Sequence, residues 1–132
     1  MKYWLVKQEP EKYSFDDLLK DKKTIWDGVR NYQARNNLRD MKKGDKVLFY
    51  HSVSEKSVVG IAEVSKEHFP DPSDENWLVV EIKPSEKFAN PVTLEQIKNE
   101  KTLENIALIK QSRLSVMPLT KKEFEKILKL AD

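Results

Sequence analysis

The stretch KVLFYHSVSEKSVVGIAEVSKE, residues 46–67, decides the fold class. It contains two strand-like segments, KVLFYHS and SVVGIAEVSKE, separated by only a few residues. Each is short, rich in β-branched and aromatic residues, and typical of a β-strand. Parallel neighbours in a doubly wound sheet need a crossover of about a dozen residues or more, and the spacing leaves no room for one. The stretch therefore favours an α+β domain around a mainly antiparallel, curved sheet or small β-barrel flanked by short helices.

The rest of the chain fits short elements on both sides of this stretch. Short helices are predicted after Ser14, Thr93 and Thr120, because each precedes an acidic residue or glutamine by three positions, as in a capping box. No repeat, low-complexity segment or Gly/Ser linker divides the chain, so residues 1–132 are predicted to form a single domain. Further strands are predicted at KYWLVK, at WLVVEIKPSEKF with an interruption at Pro84, and at RLSVMPL, while PDPSDEN is predicted to be a polar loop.

The composition excludes several classes of function. There is no cysteine, which excludes a disulfide framework, a thiolate metal site and a cysteine nucleophile. The 24 basic and 22 acidic side chains leave a net charge of +2, which does not by itself indicate nucleic acid. The two histidines do not form a metal signature, so no metal and no cofactor are expected. The apolar run Tyr3–Val6 is too short for a signal peptide or a membrane span, and a cytoplasmic protein without a membrane partner is expected.

The segment WDGVRNYQARNNLR, residues 26–39, is unusual for a purely structural element. It holds three of the four arginines, and arginine is preferred for forked hydrogen bonds to phosphates and base edges. A helix is predicted over Asn31–Met41, with Ala34, Leu38 and Met41 as its core stripe. Its asparagines are poor interior helix formers. Local rules broken in one place often mark a functional site.

The opposite face of this helix has the chemistry of a nucleobase pocket. Tyr32, Arg35, Asn36 and Arg39 fall at helical spacing and share one face. An aromatic ring gives a base a surface to stack on, and a carboxamide offers both a donor and an acceptor to its edge. The alternative is that Trp26 belongs to the core and the arginines pair with Asp27 and Asp40. The predicted roles are walls from Trp26 and Tyr32, reading or support of the base edge by Asn31 and Asn36, and phosphate or sugar contacts from Arg30, Arg35 and Arg39.

Other candidates carry weaker signals. Lys7 and Glu9 follow the first strand and either pair with each other on the surface or close the rim of the pocket. His51 and Ser52 end the second strand, where binding groups often lie, but a lone histidine there is more often structural. No acid is placed by the sequence to orient it, so a Ser-His-Asp triad is not supported. Trp77 begins a strand and is expected in the core.

Six motifs along the chain resemble those of a known family. YWLVKQEP, WDGVRNYQARNNLR, FYHS, GIAEV, FPDP and RLSVMPLT occur in order over essentially the whole chain, and together they resemble the EVE domain family. The resemblance implies a PUA-like fold, related to YTH readers of methylated adenine and to ASCH domains. It also implies a non-catalytic module that binds DNA or RNA by holding a single flipped and modified base, with modified cytosine favoured. The family's pocket motifs correspond to Lys7, Glu9, Trp26, Gly28, Val29, Arg30, Asn31, Tyr32, Arg35, Asn36, His51 and Ser52.

Two departures from the family pattern bear on the ligand. Gln8 stands where many members have serine, so a pocket hydroxyl becomes a longer carboxamide. The loops after Ser52 and Pro72 look short, which predicts a smaller nucleic-acid footprint. Two other functions stay open. One is a small amidohydrolase of modified nucleosides, as in some ASCH relatives, whose catalytic set Lys7, Glu9 and Ser52 would imitate. The other is a binding module whose basic helix docks an acidic protein. The oligomeric state is left open.

Overall fold

The computed structural model describes residues 1–132 and contains one six-stranded sheet with five short helices. The strands are β1 (Tyr3–Gln8), β2 (Thr24–Ile25), β3 (Lys46–His51), β4 (Ser57–Asp71), β5 (Asp74–Thr93) and β6 (Val116–Leu119). The helices are α1 (Phe15–Asp21), α2 (Tyr32–Asp40), α3 (Leu94–Asn99), α4 (Ala107–Lys110) and α5 (Lys121–Leu130), with a 3-10 turn at Lys101–Leu103. The strand order is β2-β5-β4-β3-β1-β6.

All neighbouring strands are antiparallel except β1 and β3, which are parallel. The sheet is open, with β2 and β6 at its edges. The predicted α+β class with a mainly antiparallel sheet is confirmed, and the sheet does not close into a barrel. None of the helices combines the length and the hydrophobicity that a membrane crossing requires.

The β4–β5 hairpin is longer and more continuous than the sequence suggests. The predicted polar loop PDPSDEN is wrong, since β4 continues to Asp71, β5 resumes at Asp74, and only a tight turn joins them. The predicted interruption at Pro84 is also wrong, because β5 runs through it. The pairing shifts there instead, with Ala62 opposite Pro84 and Ile61 opposite Glu86. A bulge of this kind absorbs the missing proline donor without ending the strand.

The predicted helix caps are present. Ser14, Thr93 and Thr120 each accept a hydrogen bond from the third helical N–H, and the side chain at that third position bonds back. In α2 the cap is Asn31, whose Oδ1 accepts from Ala34 N at 2.9 Å. An asparagine that is unfavourable inside a helix is favourable in this position.

The core stripe of α2 is placed as predicted. Ala34, Leu38 and Met41 are fully buried. The turn that follows α2 is held by Asp45, a buried carboxylate that accepts from Trp4 Nε1 at 2.9 Å and from Lys42 N at 3.0 Å. This links the end of α2 to β1 and β3, in the middle of the sheet. Because the end of α2 is anchored in this way, the face of α2 opposite the core is exposed to solvent.

Candidate functional site

Trp26 is positioned by the short edge strand β2. The sequence predicted an irregular segment here, but Thr24 and Ile25 pair with β5, and Trp26 N donates to Val80 O at 2.8 Å. The indole is 6% exposed and meets Phe49 edge to face, with ring centroids 5.3 Å apart. Trp26 therefore belongs to the core and also borders a surface depression. The core position and the predicted pocket wall are compatible for this residue.

A depression of about 270 Å³ opens beside the indole of Trp26. Its size approaches the lower end of pockets that hold small organic ligands. The walls come from the end of β1, the turn before α1, and β2 with the residues after it. The lining residues are Gln8, Lys12, Tyr13, Thr24, Ile25, Trp26 and Asp27. We call this the Trp26 pocket.

The Trp26 pocket carries polar groups whose bonding capacity is not used inside the protein. Gln8 Oε1 accepts from Glu9 N at 2.9 Å, while the amide N–H groups of the same side chain have no protein acceptor. Asp27 forms no ion pair, in contrast to the predicted alternative in which it neutralises an arginine. A donor and a charged acceptor are thus available to a bound ligand beside two aromatic rings.

Larger grooves lie elsewhere on the molecule, and two of them contain aromatic rings. One, of about 640 Å³, runs between β1, β6 and the end of α2, and the other, of about 620 Å³, lies between the β4–β5 hairpin and α5. Both are more open to solvent than the Trp26 pocket. Both also place a ring beside polar groups, with Tyr3 near Asp40 in the first and Phe88 near Glu125 in the second. The Trp26 pocket is the better candidate because it is less open and is lined by Trp26 and Asp27, which belong to the unusual segment 26–39.

A second feature, which we call the aromatic–arginine cluster, consists of Arg30, Tyr32, Arg35 and Trp77. The rings of Tyr32 and Trp77 are stacked, with centroids 5.2 Å apart and planes 29° from parallel. The Arg35 guanidinium carbon lies 4.9 Å from the Tyr32 centroid and 5.6 Å from that of Trp77. Arg30 lies 5.6 Å from the Trp77 ring. The cluster joins the start of α2 to the start of β5.

Asp71, at the end of β4, anchors this region. Its side chain is buried and accepts from Arg30 Nη1 at 3.1 Å, from Gly28 N at 3.2 Å, and from both the N and the Oγ of Ser73. Burial alone raises the pKa of Asp71, but the hydrogen bonds from Ser73, Gly28 and Arg30 outweigh it and hold the pKa well below its ordinary value. Gly28 has a φ of 77°, which favours glycine at the turn out of the Trp26 pocket.

The structure does not bring every predicted site residue to one place. Tyr32 stacks on Trp77 rather than on Trp26, so the two predicted walls belong to different features. On α2, Arg35 and Arg39 both point to the outer face, and Arg39 Nη1 donates to Asn36 Oδ1 at 3.3 Å. Val29 is buried in the core, and Asn31 serves as the helix cap.

The residues predicted around the ends of β1 and β3 have partners inside the protein. Lys7 Nζ donates to the Ser112 carbonyl at 2.6 Å, and partial burial lowers the pKa of Lys7. Glu9 forms an ion pair with Lys12 at 2.8 Å rather than with Lys7. Ser52 N donates to Gln8 O, which fixes the backbone beside the pocket.

Both ring nitrogens of His51 have partners inside the protein. Its Nε2 accepts from Phe15 N at 3.0 Å, satisfying a free N–H at the start of α1. Its Nδ1 lies 2.7 Å from the Glu55 carboxylate, so the tautomer with a proton on Nδ1 satisfies both contacts. His51 is buried and lies outside the lining of the Trp26 pocket.

Comparison with known proteins identifies the family. The sequence profile of the EVE domain matches residues 2–130. The chain belongs to the EVE domain family. Thymocyte nuclear protein 1 from Mus musculus is 36% identical over 166 aligned residues, which cover 98% of this chain and 74% of that protein. Since this chain has only 132 residues, the mouse protein carries insertions relative to it.

Solved structures share the fold of this EVE domain over its whole length. A protein from Agrobacterium tumefaciens superposes with a TM-score of 0.96 at 40% identity, covering 99% of this chain and 93% of that one. Human THYN1 protein, solved in complex with 5-methylcytosine-containing DNA, superposes with a TM-score of 0.93 at 32% identity, covering 100% and 98%. An ASCH protein from Zymomonas mobilis, at 14% identity and a TM-score of 0.63, shares the fold alone. The predicted family and its PUA-like fold are confirmed.

Several residues of this EVE domain were missed by sequence reasoning. Trp77 is not the core residue expected but a half-buried member of the aromatic–arginine cluster. Tyr13 and Asp27 line the Trp26 pocket and were not singled out as ligand contacts. For Asp27 the signal was its position next to Trp26, inside the most specific motif of the sequence. For Trp77 no local signal existed, since its partners lie more than 40 positions away.

Proposed function

We propose that this EVE domain is a non-catalytic nucleic-acid-binding module that holds a single flipped, modified base in the Trp26 pocket, with modified cytosine favoured. The observation that carries the proposal is the pocket itself, where the rings of Trp26 and Tyr13 stand beside the unpaired groups of Gln8 and Asp27. The human relative bound to 5-methylcytosine-containing DNA supports it, because it matches this chain over its full length.

The lining chemistry suits the edge of cytosine. Cytosine presents an amino donor at N4, and a carboxylate is the usual side chain that accepts from it. Asp27 is free to take that role, while the free N–H groups of Gln8 are matched to ring acceptors. Thymine and uracil carry a carbonyl at the same position, which a carboxylate repels. The pocket therefore favours a base with an amino group over one with a carbonyl.

The base must leave its stack to enter the pocket, which costs a few kcal/mol in a duplex. Contact with the indole of Trp26 offsets part of this cost, since stacking a base on an aromatic ring contributes about 1–3 kcal/mol. Lys12 at the pocket edge, although paired with Glu9, adds positive charge where the phosphates of a bound strand pass. A single strand, whose bases are already partly unstacked, is expected to bind more tightly than a duplex of the same sequence.

The amidohydrolase alternative finds less support. Lys7, Glu9 and Ser52 do not contact one another, because Lys7 bonds to the Ser112 carbonyl and Glu9 pairs with Lys12. The lowered pKa of Lys7 is one requirement for a nucleophilic lysine, but the pocket does not include that side chain. Incubation with acylated cytidines followed by chromatography tests this alternative. Turnover that Lys7→Ala abolishes would replace the reader proposal.

The proposal is tested with oligonucleotides that differ at a single base. Fluorescence anisotropy measures binding of labelled DNA and RNA strands carrying cytosine, 5-methylcytosine, other modified cytosines or thymine at one position. We expect preference for a modified cytosine, weaker binding of Asp27→Asn, and a changed preference in Gln8→Ser. The control is Asp16→Asn, which removes the same charge from the exposed face of α1. Equal binding of all strands, with Asp27→Asn behaving like the control, would overturn the proposal.

A further inference from the structure

Tyr32 is an aromatic side chain held in solvent. It is 66% exposed, although a tyrosine of this size would bury substantial apolar area in the core. Tyrosine and tryptophan are enriched at interfaces, because one end of each side chain is apolar and the other is polar. Its ring rests on Trp77 on one side, which leaves the remaining surface open.

The side chains around Tyr32 are held by contacts within the protein. Arg35 lies against both rings and its Nη1 donates to the Asn76 carbonyl at 3.2 Å, while its Nε is buried without an acceptor. Arg30 is tied to the buried carboxylate of Asp71. Side chains that are already ordered lose less conformational entropy on binding. Stacking on the two rings and the single hydrogen bond to Asn76 together hold this guanidinium.

The charge beside Tyr32 is positive and not neutralised. Arg35 and Arg39 lie on the same face of α2, and neither pairs with a carboxylate, since their polar partners are the Asn76 carbonyl and Asn36 Oδ1. The carboxylate of Asp74 at the hairpin turn accepts from Asn76 instead. The free positive charge therefore follows the outer face of α2. A flat ring beside a row of free guanidinium groups matches a base and its flanking phosphates.

We propose that Tyr32 and Trp77 form a second nucleotide-binding surface, on which a base flanking the pocket nucleotide stacks while its phosphates meet Arg35 and Arg39. Tyr32 lies five positions after Asp27, so the two features lie at most about 18 Å apart along the chain. A strand that rises about 3.4 Å per nucleotide covers this distance within about five steps. This inference rests on the proposed function in one respect: the same strand occupies the Trp26 pocket and the Tyr32–Trp77 surface.

The test moves a missing base along the strand. A thirteen-nucleotide single strand with a central 5-methylcytosine, which reaches beyond five steps on either side, is compared with copies that carry one abasic position at each flanking site in turn. We expect wild type to lose about 5- to 150-fold in affinity at one or two of these sites, the range expected for one stacked base. Tyr32→Ala should bind the intact strand that much more weakly and lose nothing further at the same abasic sites. Tyr32→Phe, which keeps the ring, should behave like wild type.

A second readout does not depend on variants at Tyr32. With 2-aminopurine at the sensitive flanking site, wild type should quench its fluorescence on binding, and Trp77→Leu should reduce the quenching. A flat abasic scan in wild type, or Tyr32→Ala binding the intact strand like wild type, would overturn the proposal. A third outcome would also overturn it. If an acidic peptide binds wild type as tightly as the strand does, and Tyr32→Ala abolishes that binding, the surface belongs to a protein partner.

The outcomes separate the two proposals. Failure of base reading appears as equal affinity for cytosine and 5-methylcytosine at the central position, in wild type and in Tyr32→Ala alike. The abasic scan can be repeated on a strand with unmodified cytosine, and its flanking sensitivity does not depend on that preference. Loss of flanking sensitivity with base preference intact overturns the second surface alone.

Discussion

Replacing Asp71 with asparagine is expected to weaken the junction between the β4–β5 hairpin and the segment that leads into α2. Each carboxylate oxygen accepts two hydrogen bonds, Oδ1 from the N and Oγ of Ser73, and Oδ2 from Gly28 N and Arg30 Nη1. An asparagine has only one oxygen. If its amide nitrogen faces Gly28 and Arg30, the N–H groups meet two donors; if it faces Ser73, they meet the backbone N–H, and only the hydroxyl can turn to accept.

The expected loss of stability is about 3 kcal/mol. A hydrogen bond to a charged group contributes about 1.5–3 kcal/mol; one or two are lost, depending on the orientation of the amide, and those that remain no longer have a charged acceptor. The upper end of that sum is reduced because the Arg30 side chain is 39% exposed and solvent screens its pairing with Asp71. For a domain of this length, the loss lowers the melting temperature by about 10 °C.

The pH dependence gives the sharper test. The pKa of Asp71 is depressed in the folded protein, so its contribution is fully present above the unfolded value of 3.8 and is lost as pH falls toward the folded pKa. Asparagine does not titrate. Urea unfolding of wild type and Asp71→Asn should therefore differ by about 3 kcal/mol at pH 7, and by progressively less below pH 3.8. An unchanged difference at pH 3, or none at pH 7, would refute this account of the junction.

Three further substitutions probe the frame that carries the site. Asp45→Ala leaves Trp4 Nε1 without its acceptor in the core and should lower the free energy of unfolding by about 2–3 kcal/mol in urea titration; a change under 0.5 kcal/mol contradicts the assigned role. Gly60→Ala should lower the free energy of unfolding by about 1–3 kcal/mol, because the added Cβ would lie 2.7 Å from Phe15 Cζ. A melting temperature equal to that of wild type would show that the Phe15 ring moves aside at no cost. His51→Leu removes the acceptor for Phe15 N, and hydrogen exchange should show faster exchange of that amide; protection equal to wild type would exclude the contact.

Local sequence patterns predicted what depends on neighbours in the chain. The faces of α2 follow from helical spacing, which is why Ala34 and Leu38 were placed in the core and Arg35 and Arg39 outside it. The caps at Ser14 and Thr120 follow from the same short-range geometry. The α+β class followed from strand spacing. The PUA-like fold and the pocket motifs came from the family resemblance.

Contacts between distant segments could not be predicted in this way. Trp77 looked like an ordinary strand residue, because nothing near it in the sequence shows that Tyr32 and two arginines pack against it. His51 resembled a binding group, because the amide that it accepts from lies on a helix 36 positions earlier. The Trp26 pocket forms only where the turn before α1 meets β2. A strand of two residues such as β2 is too short to leave a periodic signal.

The place of β1 in the sheet also sets the order in which the chain can fold. This strand lies between β3 and β6, and Tyr3 pairs with both Lys46 and Leu119. During synthesis, the partner on one side becomes available early, whereas the other follows about 70 residues later, on the order of 10 s at cellular elongation rates. For that interval an apolar strand has one unpaired edge, a template for association with other chains. The nascent chain is therefore vulnerable to aggregation in the interval after β3 has paired with β1 and before β6 has been synthesised.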